Sequence, residues 1–389
     1  EAIMIPYARQ EVLPEDIDAV TKVLNAEFLT QGPVIPAFEN AVKTYCGAKY
    51  AVAVTNATAA LHIACKALGL KQGGLLWTTP ITFVASANCG LYCGADVDFV
   101  DIDPITWNID TSALAHKLER AAHEGRLPDI VVAVHFTGQS CDMEAINSLS
   151  NQYGFKIIED ASHAIGGRYK NSIIGSCTYS DVTVFSFHPV KIITTGEGGM
   201  ALTNDPDIAA KLHLLRSHGV TRDPKLMRRD DGGWYYEQVG LGYNYRITDI
   251  QAALGLSQMK RLDAYVEKRQ QLFTRYTASL AALPLHLPHI APYTISAIHL
   301  YPVIIDNSRT KRTRREVYEA MQSAGIRVNV HYIPIHTQPY YMDRFGFKAG
   351  DFPYAERYYA GCLSLPMYAA LTFEQQDTVC SVLQDIFAE

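Results

Sequence analysis

From about residue 50 the chain alternates between short apolar runs and stretches whose apolar residues recur at helical spacing. Tyr50 to Thr55 (YAVAVT) reads as a strand, and Ala57 to Leu68 as the helix that follows it. The same rhythm predicts strands at Leu75 to Thr79, Val97 to Ile102, Phe155 to Glu159, Val182 to Phe187 and Met200 to Thr203. Helices are predicted near Thr82 to Tyr92, Ser112 to Ala122 and Met143 to Tyr153. Ile130 to Phe136 (IVVAVHF) is a continuous apolar run, the pattern of a strand buried on both faces. Alternation sustained over this length predicts an α/β sheet covered by helices on both sides.

The pattern changes near residue 247. Ile247 to about Leu280 carries apolar residues at helical spacing and is long enough to connect two domains. A Pro-rich stretch, Leu283 to Pro292, precedes a predicted strand at Leu300 to Ile305. A charged helix near Lys311 to Ser323, a strand near Arg327 to His331 and a last helix from Phe373 to Phe387 complete the pattern. The expected division is a large α/β domain with an N-terminal arm over residues 1–250 and a smaller α+β domain over residues 251–389.

Composition narrows the functional classes. Hydrophobic residues make up 48% and charged residues 19% of the 389, enough to bury a large core and to exclude disorder as the main state. The formal charge of −6 disfavours nucleic acid as a partner. The densest basic run, Arg309 to Arg315, is short and reads as a solvated helix start. No apolar run reaches the roughly 18 residues that span a bilayer, and the N-terminus lacks a signal-peptide pattern. The eight cysteines are scattered, form no CxxC pair and read as reduced, buried thiols of a cytoplasmic protein. Cys89 and Cys93 could share a helix face, but no further metal ligands accompany them, and core packing is expected.

Three segments carry chemistry. The first is Ser186-Phe-His-Pro-Val-Lys-Ile-Ile-Thr-Thr-Gly-Glu-Gly-Gly199, a strand end, a lysine and a Gly-rich turn. Lys191 lies among Pro189, Val190, Ile192 and Ile193; apolar surroundings favour a neutral, nucleophilic amine able to form a Schiff base with an aldehyde. A lone loop lysine is ordinarily a solvated surface residue, but that reading leaves Ser186, His188 and the Gly-rich turn unexplained. The second is Ile157-Ile-Glu-Asp-Ala-Ser-His163. Asp160 at a strand's carboxyl end could pair with a protonated pyridine nitrogen, with His163 within reach of a ring hydroxyl, or it could simply cap a helix. The third is Thr55-Asn-Ala-Thr-Ala-Ala60 at a strand-to-helix junction. There the N–H groups of Ala57 and Thr58, with the Thr58 hydroxyl, suit a phosphate, whether or not Thr55 or Asn56 also caps the helix.

Together these segments resemble the DegT/DnrJ/EryC1/StrS family of fold-type I, pyridoxal-phosphate-dependent aminotransferases that act on nucleotide-linked keto sugars. The residues carrying the resemblance are LTQGP (29–33), TNATAAL (55–61), TTPITFVASAN (78–88), EDASHAIG (159–166) and SFHPVKIITTGEGG (186–199). RSHG (216–219), GYNYRITDIQAALGLSQ (242–258) and VHYIP (330–334) extend it over nearly the whole chain. The turn Gly73-Gly-Leu-Leu departs from the acidic turn usual in relatives. A dehydrating subgroup of the family carries histidine where aminotransferases keep lysine, so Lys191 favours amino transfer.

The resemblance implies a mixed, mostly parallel central sheet and a smaller C-terminal α+β domain. It also implies pyridoxal 5'-phosphate covalently held on Lys191, Asp160 at the pyridine nitrogen and His163 near the phenolic oxygen. Phe83 is expected against the ring face, with Ala57, Thr58 and Ser186 at the phosphate. Asn244 is expected to reach the phosphate of a partner subunit, which implies a homodimer with shared sites. Tyr7, Glu27, Phe28, Leu29, Thr30, His188, His331, Tyr332, Ile333 and Pro334 are expected on the sugar-nucleotide side. The implied reaction moves an amino group from glutamate to C4 of a UDP-linked 4-keto-6-deoxy-N-acetylhexosamine, as in pseudaminic acid biosynthesis. The alternatives are the epimeric keto sugar of the bacillosamine pathway, another nucleotide-linked keto sugar, or a cofactor-binding regulatory protein without catalysis. A nicotinamide-dependent oxidoreductase is disfavoured because no GxGxxG turn follows the first strand.

Overall fold

The computed structural model describes residues 4–388. Its centre is a seven-stranded sheet in the order Tyr50–Val54, Gly199–Thr203, Val182–Ser186, Lys156–Asp160, Ile130–Val134, Leu75–Thr78, Asp96–Phe99. Gly199–Thr203 runs antiparallel to both neighbours, and the other pairs are parallel. The sheet is therefore mixed but mostly parallel, as the alternating pattern and the resemblance imply. All five residues of Ile130–Val134 are buried. Each of its isoleucine and valine side chains contributes roughly 1.5–3 kcal/mol on leaving water, which is why the strand carries no polar position.

A second sheet, Leu285–His286, Tyr301–Ile305 and Cys362–Leu365, is antiparallel and packs against C-terminal helices. Ile5 joins its core and bonds across to Gly325 and Arg327, so the N-terminal arm returns to the C-terminal part of the chain.

Three sequence expectations change. The continuous helix expected from Ile247 to Leu280 is two helices, Asp249–Met259 and Leu262–Leu280. The interruption falls at Arg261, whose guanidinium reaches the fully buried Asp16 at 2.6 Å and Tyr265 at 3.0 Å. The strand expected at Arg327 to His331 reduces to one bridge between Asn329 and Ser364, because Arg327 N–H is spent on Ile5. The helix expected from Thr82 begins at Ala85, since Thr82 turns its hydroxyl onto Ser86 at 2.8 Å.

The basic run is used structurally. Arg309 bonds the carbonyls of Ala282 and Leu283, and Arg314 bonds that of Tyr359. Thr313 and Glu316 form a capping box at the start of Arg314–Ser323. At the departing turn, the Asp129 carboxylate receives the Leu75 N–H at 2.8 Å. All eight cysteines are buried free thiols. Among the described residues no helix is long and apolar enough to cross a membrane.

Candidate active site

The carboxyl ends of Lys156–Asp160 and Val182–Ser186, and the amino end of helix Ala57–Ala67, converge on one cavity of about 630 Å³. This is where parallel strands deliver their terminal residues and where open α/β sheets place ligand-contacting groups. Asp160 and Ser186 are each the last residue of their strand and are 6% and 8% exposed. Lys191 follows in the loop, with its N–H on the His188 carbonyl at 2.9 Å. Its amine lines the cavity and has no hydrogen-bond or ion-pair partner among the described residues.

Burial lowers the Lys191 pKa from 10.5 to about 8, against the opposing pull of Asp160. The amine is thus partly free base near neutral pH, the state a nucleophile or proton acceptor needs. Asp160 is anchored at both oxygens: Oδ2 accepts from Ser86 Oγ at 2.6 Å, and Oδ1 accepts from Ser162 Oγ at 2.6 Å and Ser162 N at 3.2 Å. Asp160 therefore ends a strand and closes a tight turn; it does not cap a helix.

His163 is 6% exposed. Its Nδ1 accepts from Thr137 N–H at 3.2 Å, so the ring proton resides on Nε2, which lies 3.1 Å from Tyr332 Oη. Burial first, then the charges of Lys191 and His331, hold its pKa well below 6.5. His331 is pushed down to about 3 by burial and Lys191, and its Nδ1 lies 2.8 Å from Ser364 Oγ. These imidazoles are neutral donors or acceptors at physiological pH. Burial raises the Tyr332 hydroxyl, with Asp160 and Tyr7 adding to the effect.

At the helix start, Asn56 accepts Ala59 N–H at 2.8 Å, so the expected cap is present. Ala57 and Thr58 N–H have no partner among the described residues and lie at the cavity wall. A Cβ on Gly199, in the adjoining strand, would meet Asn56 at 2.5 Å and Ala57 N at 2.6 Å. Only glycine lets the helix start seat that close to the sheet.

Of the residues singled out in the sequence, Tyr7, Ala57, Thr58, Phe83, Asp160, His163, Ser186, His188, Lys191, His331 and Tyr332 all line this cavity. Phe83 is 60% exposed on its wall, 6.4 Å from the Tyr332 ring. Glu27, Phe28, Leu29, Thr30, Ile333, Pro334 and Asn244 are not among its lining residues. Leu29 and Thr30 instead pair with Asp249 and Thr248. Asn244 is exposed and bridges Ser217. Ser86, Ser162, Glu197 and His299 line the cavity and were not singled out. Ser86 lay within the quoted TTPITFVASAN run, and Ser162 within EDASHAIG. His299 had no local signal, because it meets His163 only through the fold.

The donor set fits pyridoxal phosphate. Two free N–H groups and the Ser186 and Thr58 hydroxyls can take a phosphate dianion. An unpaired, desolvated lysine can take the aldehyde, and a braced carboxylate can take a protonated ring nitrogen.

The chain belongs to the DegT/DnrJ/EryC1/StrS aminotransferase family, whose model matches residues 10–384. It is therefore an enzyme of the sugar aminotransferase class, in a family that depends on pyridoxal phosphate. It is similar to the spore coat polysaccharide biosynthesis protein SpsC of Bacillus subtilis, 40% identical over 384 residues, 98% of this chain and 97% of that protein. It is also similar to the UDP-4-amino-4,6-dideoxy-N-acetyl-beta-L-altrosamine transaminase of Campylobacter jejuni, 36% identical over 389 residues and 98% of each chain. Among solved structures it resembles Helicobacter pylori PseC, an aminotransferase of pseudaminic acid biosynthesis. There the TM-score is 0.90 at 31% identity, covering 99% of this chain and 100% of that one.

Proposed function

We propose that this enzyme transfers an amino group from glutamate to C4 of a UDP-linked 4-keto-6-deoxy-N-acetylhexosamine, with pyridoxal phosphate held on Lys191. The observation that carries the reading is the unpaired Lys191 amine lining the same cavity as the doubly anchored Asp160 carboxylate. The similarity to the altrosamine transaminase and to PseC supports the sugar class.

When bound, the cofactor supplies a carbonyl that exchanges amino groups and a cationic ring that accepts electron density. The protein's residues divide the remaining work. Ala57, Thr58 and Ser186 would hold the phosphate. Asp160, anchored by three hydrogen bonds, would pair with the ring nitrogen. Lys191 Nζ, freed when the incoming amine displaces it, would take up the proton from the amino-acid carbon and give it back, a task suited to an amine with a pKa of about 8. His163 Nε2–H, 3.1 Å from Tyr332 Oη at the cavity wall, would serve the phenolic oxygen, and Tyr7, His188, His331 and Tyr332 would face the sugar.

We further assign residues 1–250 to the cofactor-binding domain and 251–389 to the smaller domain. Asn244, exposed and outside its own chain's cavity, completes the phosphate site of a partner in a homodimer.

The direct test incubates the purified enzyme, saturated with pyridoxal phosphate, with glutamate and each epimeric 4-keto UDP-sugar. The expected products are 2-oxoglutarate and one 4-amino sugar, with NMR couplings fixing the C4 and C5 configurations. Initial-rate lines should be parallel with both substrates varied. Absence of 2-oxoglutarate with every sugar would reject the assignment.

A further inference from the structure

Arg269 sits in the middle of helix Leu262–Leu280 and is 2% exposed. No carboxylate among the described residues meets it. Its Nη1 reaches the carbonyls of Ile298 at 3.1 Å, His299 at 3.2 Å and Met367 at 3.4 Å, and its buried Nε has no partner among the described residues. Burial lowers its pKa only to about 10, so it remains a cation at neutral pH. A buried cation without a counter-charge is a poor way to stabilise a fold. Its carbonyl partners, in contrast, mark one particular turn.

That turn is strained. Ile298 has φ +51°, a left-handed conformation that a β-branched residue rarely adopts and that costs on the order of 1–3 kcal/mol. It interlocks with a second left-handed turn, Thr137 at φ +64° and Gly138 at φ +104°. His299 N–H and Leu300 N–H both bond the Thr137 carbonyl, at 2.7 and 3.3 Å, and Ala297 N–H bonds the Gly138 carbonyl at 3.1 Å. A Cβ on Gly138 would lie 2.8 Å from Ile298 N and 2.9 Å from the His163 carbonyl, so the two turns meet with no spare room. Thr137 N–H is the donor to His163 Nδ1, and the His299 ring lies 4.4 Å from the His163 ring. One turn thus sets the His163 tautomer and the other covers the His163 face.

We propose that Arg269 is a positioning residue for the reaction: by clamping the strained Ile298–His299 turn onto Thr137, it holds His163 with its Nε2–H directed into the active-site cavity. The part of this inference that concerns rate rests on the function proposed above; the part that concerns the His163 tautomer does not. Arg269 does not line that cavity. It lines, with Lys191, a smaller one behind the lysine loop, so it acts through the turn and not by touching substrate.

The test compares wild type with Arg269→Met and Arg269→Lys, and adds Ile298→Gly to each. Glycine adopts the left-handed turn without cost and lessens the need for a clamp. The first readout is ¹⁵N-histidine NMR of the cofactor-free protein, with His163 assigned by His163→Gln. Wild type should show a single Nε2–H tautomer. Arg269→Met should show mixed or broadened His163 signals, and Ile298→Gly should restore them. The second readout is kinetic: kcat should fall at least ten-fold in Arg269→Met with KM for glutamate within about three-fold, and should recover in the Ile298→Gly double variant. If Arg269→Met does not fold, Arg269→Lys, which keeps the charge and loses the planar fork, carries the same comparison. An unchanged His163 tautomer in whichever variant folds overturns the clamp, as does a loss that Ile298→Gly fails to relieve. Loss of the tautomer in an enzyme inactive with every amino donor upholds the clamp and rejects the proposed function instead.

Discussion

Lys191 is the residue on which the proposed chemistry turns, and its environment makes a definite pH statement. Its folded pKa of about 8 lies below the ordinary 10.5 because burial disfavours the charge. Covalent uptake of pyridoxal phosphate by the cofactor-free protein needs the neutral amine. The uptake rate should therefore rise as pH passes about 8 and level off above it; an inflection near 10.5 would show a solvated lysine. Asp160→Asn should retain bound cofactor and slow the half-reaction with glutamate by a factor on the order of 10² or more, read by stopped-flow absorbance. Near-wild-type rates would remove Asp160 from its role. Both residues were legible in the sequence as candidates, because strand-end position and local neighbours were enough to single them out, and the structure brings both to one cavity. Ser86 was not, because its value lies in a hydroxyl delivered to Asp160 from 74 positions away along the chain.

Helices and strands show where local pattern stops being sufficient. Most strand cores were legible because a strand buried on both faces must be apolar throughout, as Ile130–Val134 is. The break at Arg261 was not, since nothing nearby forbids a continuous helix there. The interruption serves Asp16, which is fully buried and accepts from Leu13 N–H, Ser257, Gln258 and Arg261. Asp16→Ala should leave Arg261 with only the longer Glu15 contact at 3.5 Å and lower stability by roughly 3 kcal/mol, read as a shift in the urea midpoint. A shift within error would mean that Arg261 is fully solvated in the variant. The helix Leu262–Leu280 then spans two cores: Leu262, Tyr265 and Val266 pack with Phe38 and Phe187, and Leu272, Tyr276 and Leu280 pack with Tyr301 and Leu383.

Two predictions belong to the molecule as a whole. His163, His299 and His331 are buried and held well below the ordinary imidazole value of 6.5, burial being the largest cause for each. Their neutral forms favour the folded state above pH 6.5, and that contribution is lost as pH falls and the unfolded chain takes up the protons. His135 opposes this trend: burial disfavours its charge, but Cys141 and Glu159 raise its pKa to about 10. The balance predicts a melting temperature that falls between pH 6.5 and 5, and a flat profile would contradict the burial of these rings. The second concerns assembly. Mixing Lys191→Ala with Asn244→Ala subunits should return activity on the order of a quarter of wild type, because half the dimers would hold one intact shared site. No recovery in verified heterodimers would mean that each site is built from one chain.

The amino-acid sequence by itself determined the alternation of strand and helix, the apolar run at the centre of the sheet, and the lysine, aspartate and Thr55-to-Ala60 segments as candidates. Each of these is written in neighbouring residues or a short period. Tertiary structure alone decided what those residues meet: Ser86 on Asp160, Thr137 on the His163 ring, Arg269 on the His299 turn, and Asn244 outside its own cavity. Those pairings join positions 26 to 74 residues apart, and no local pattern encodes them. They arise when buried polar groups, shut off from water, must find partners wherever the packed chain brings them.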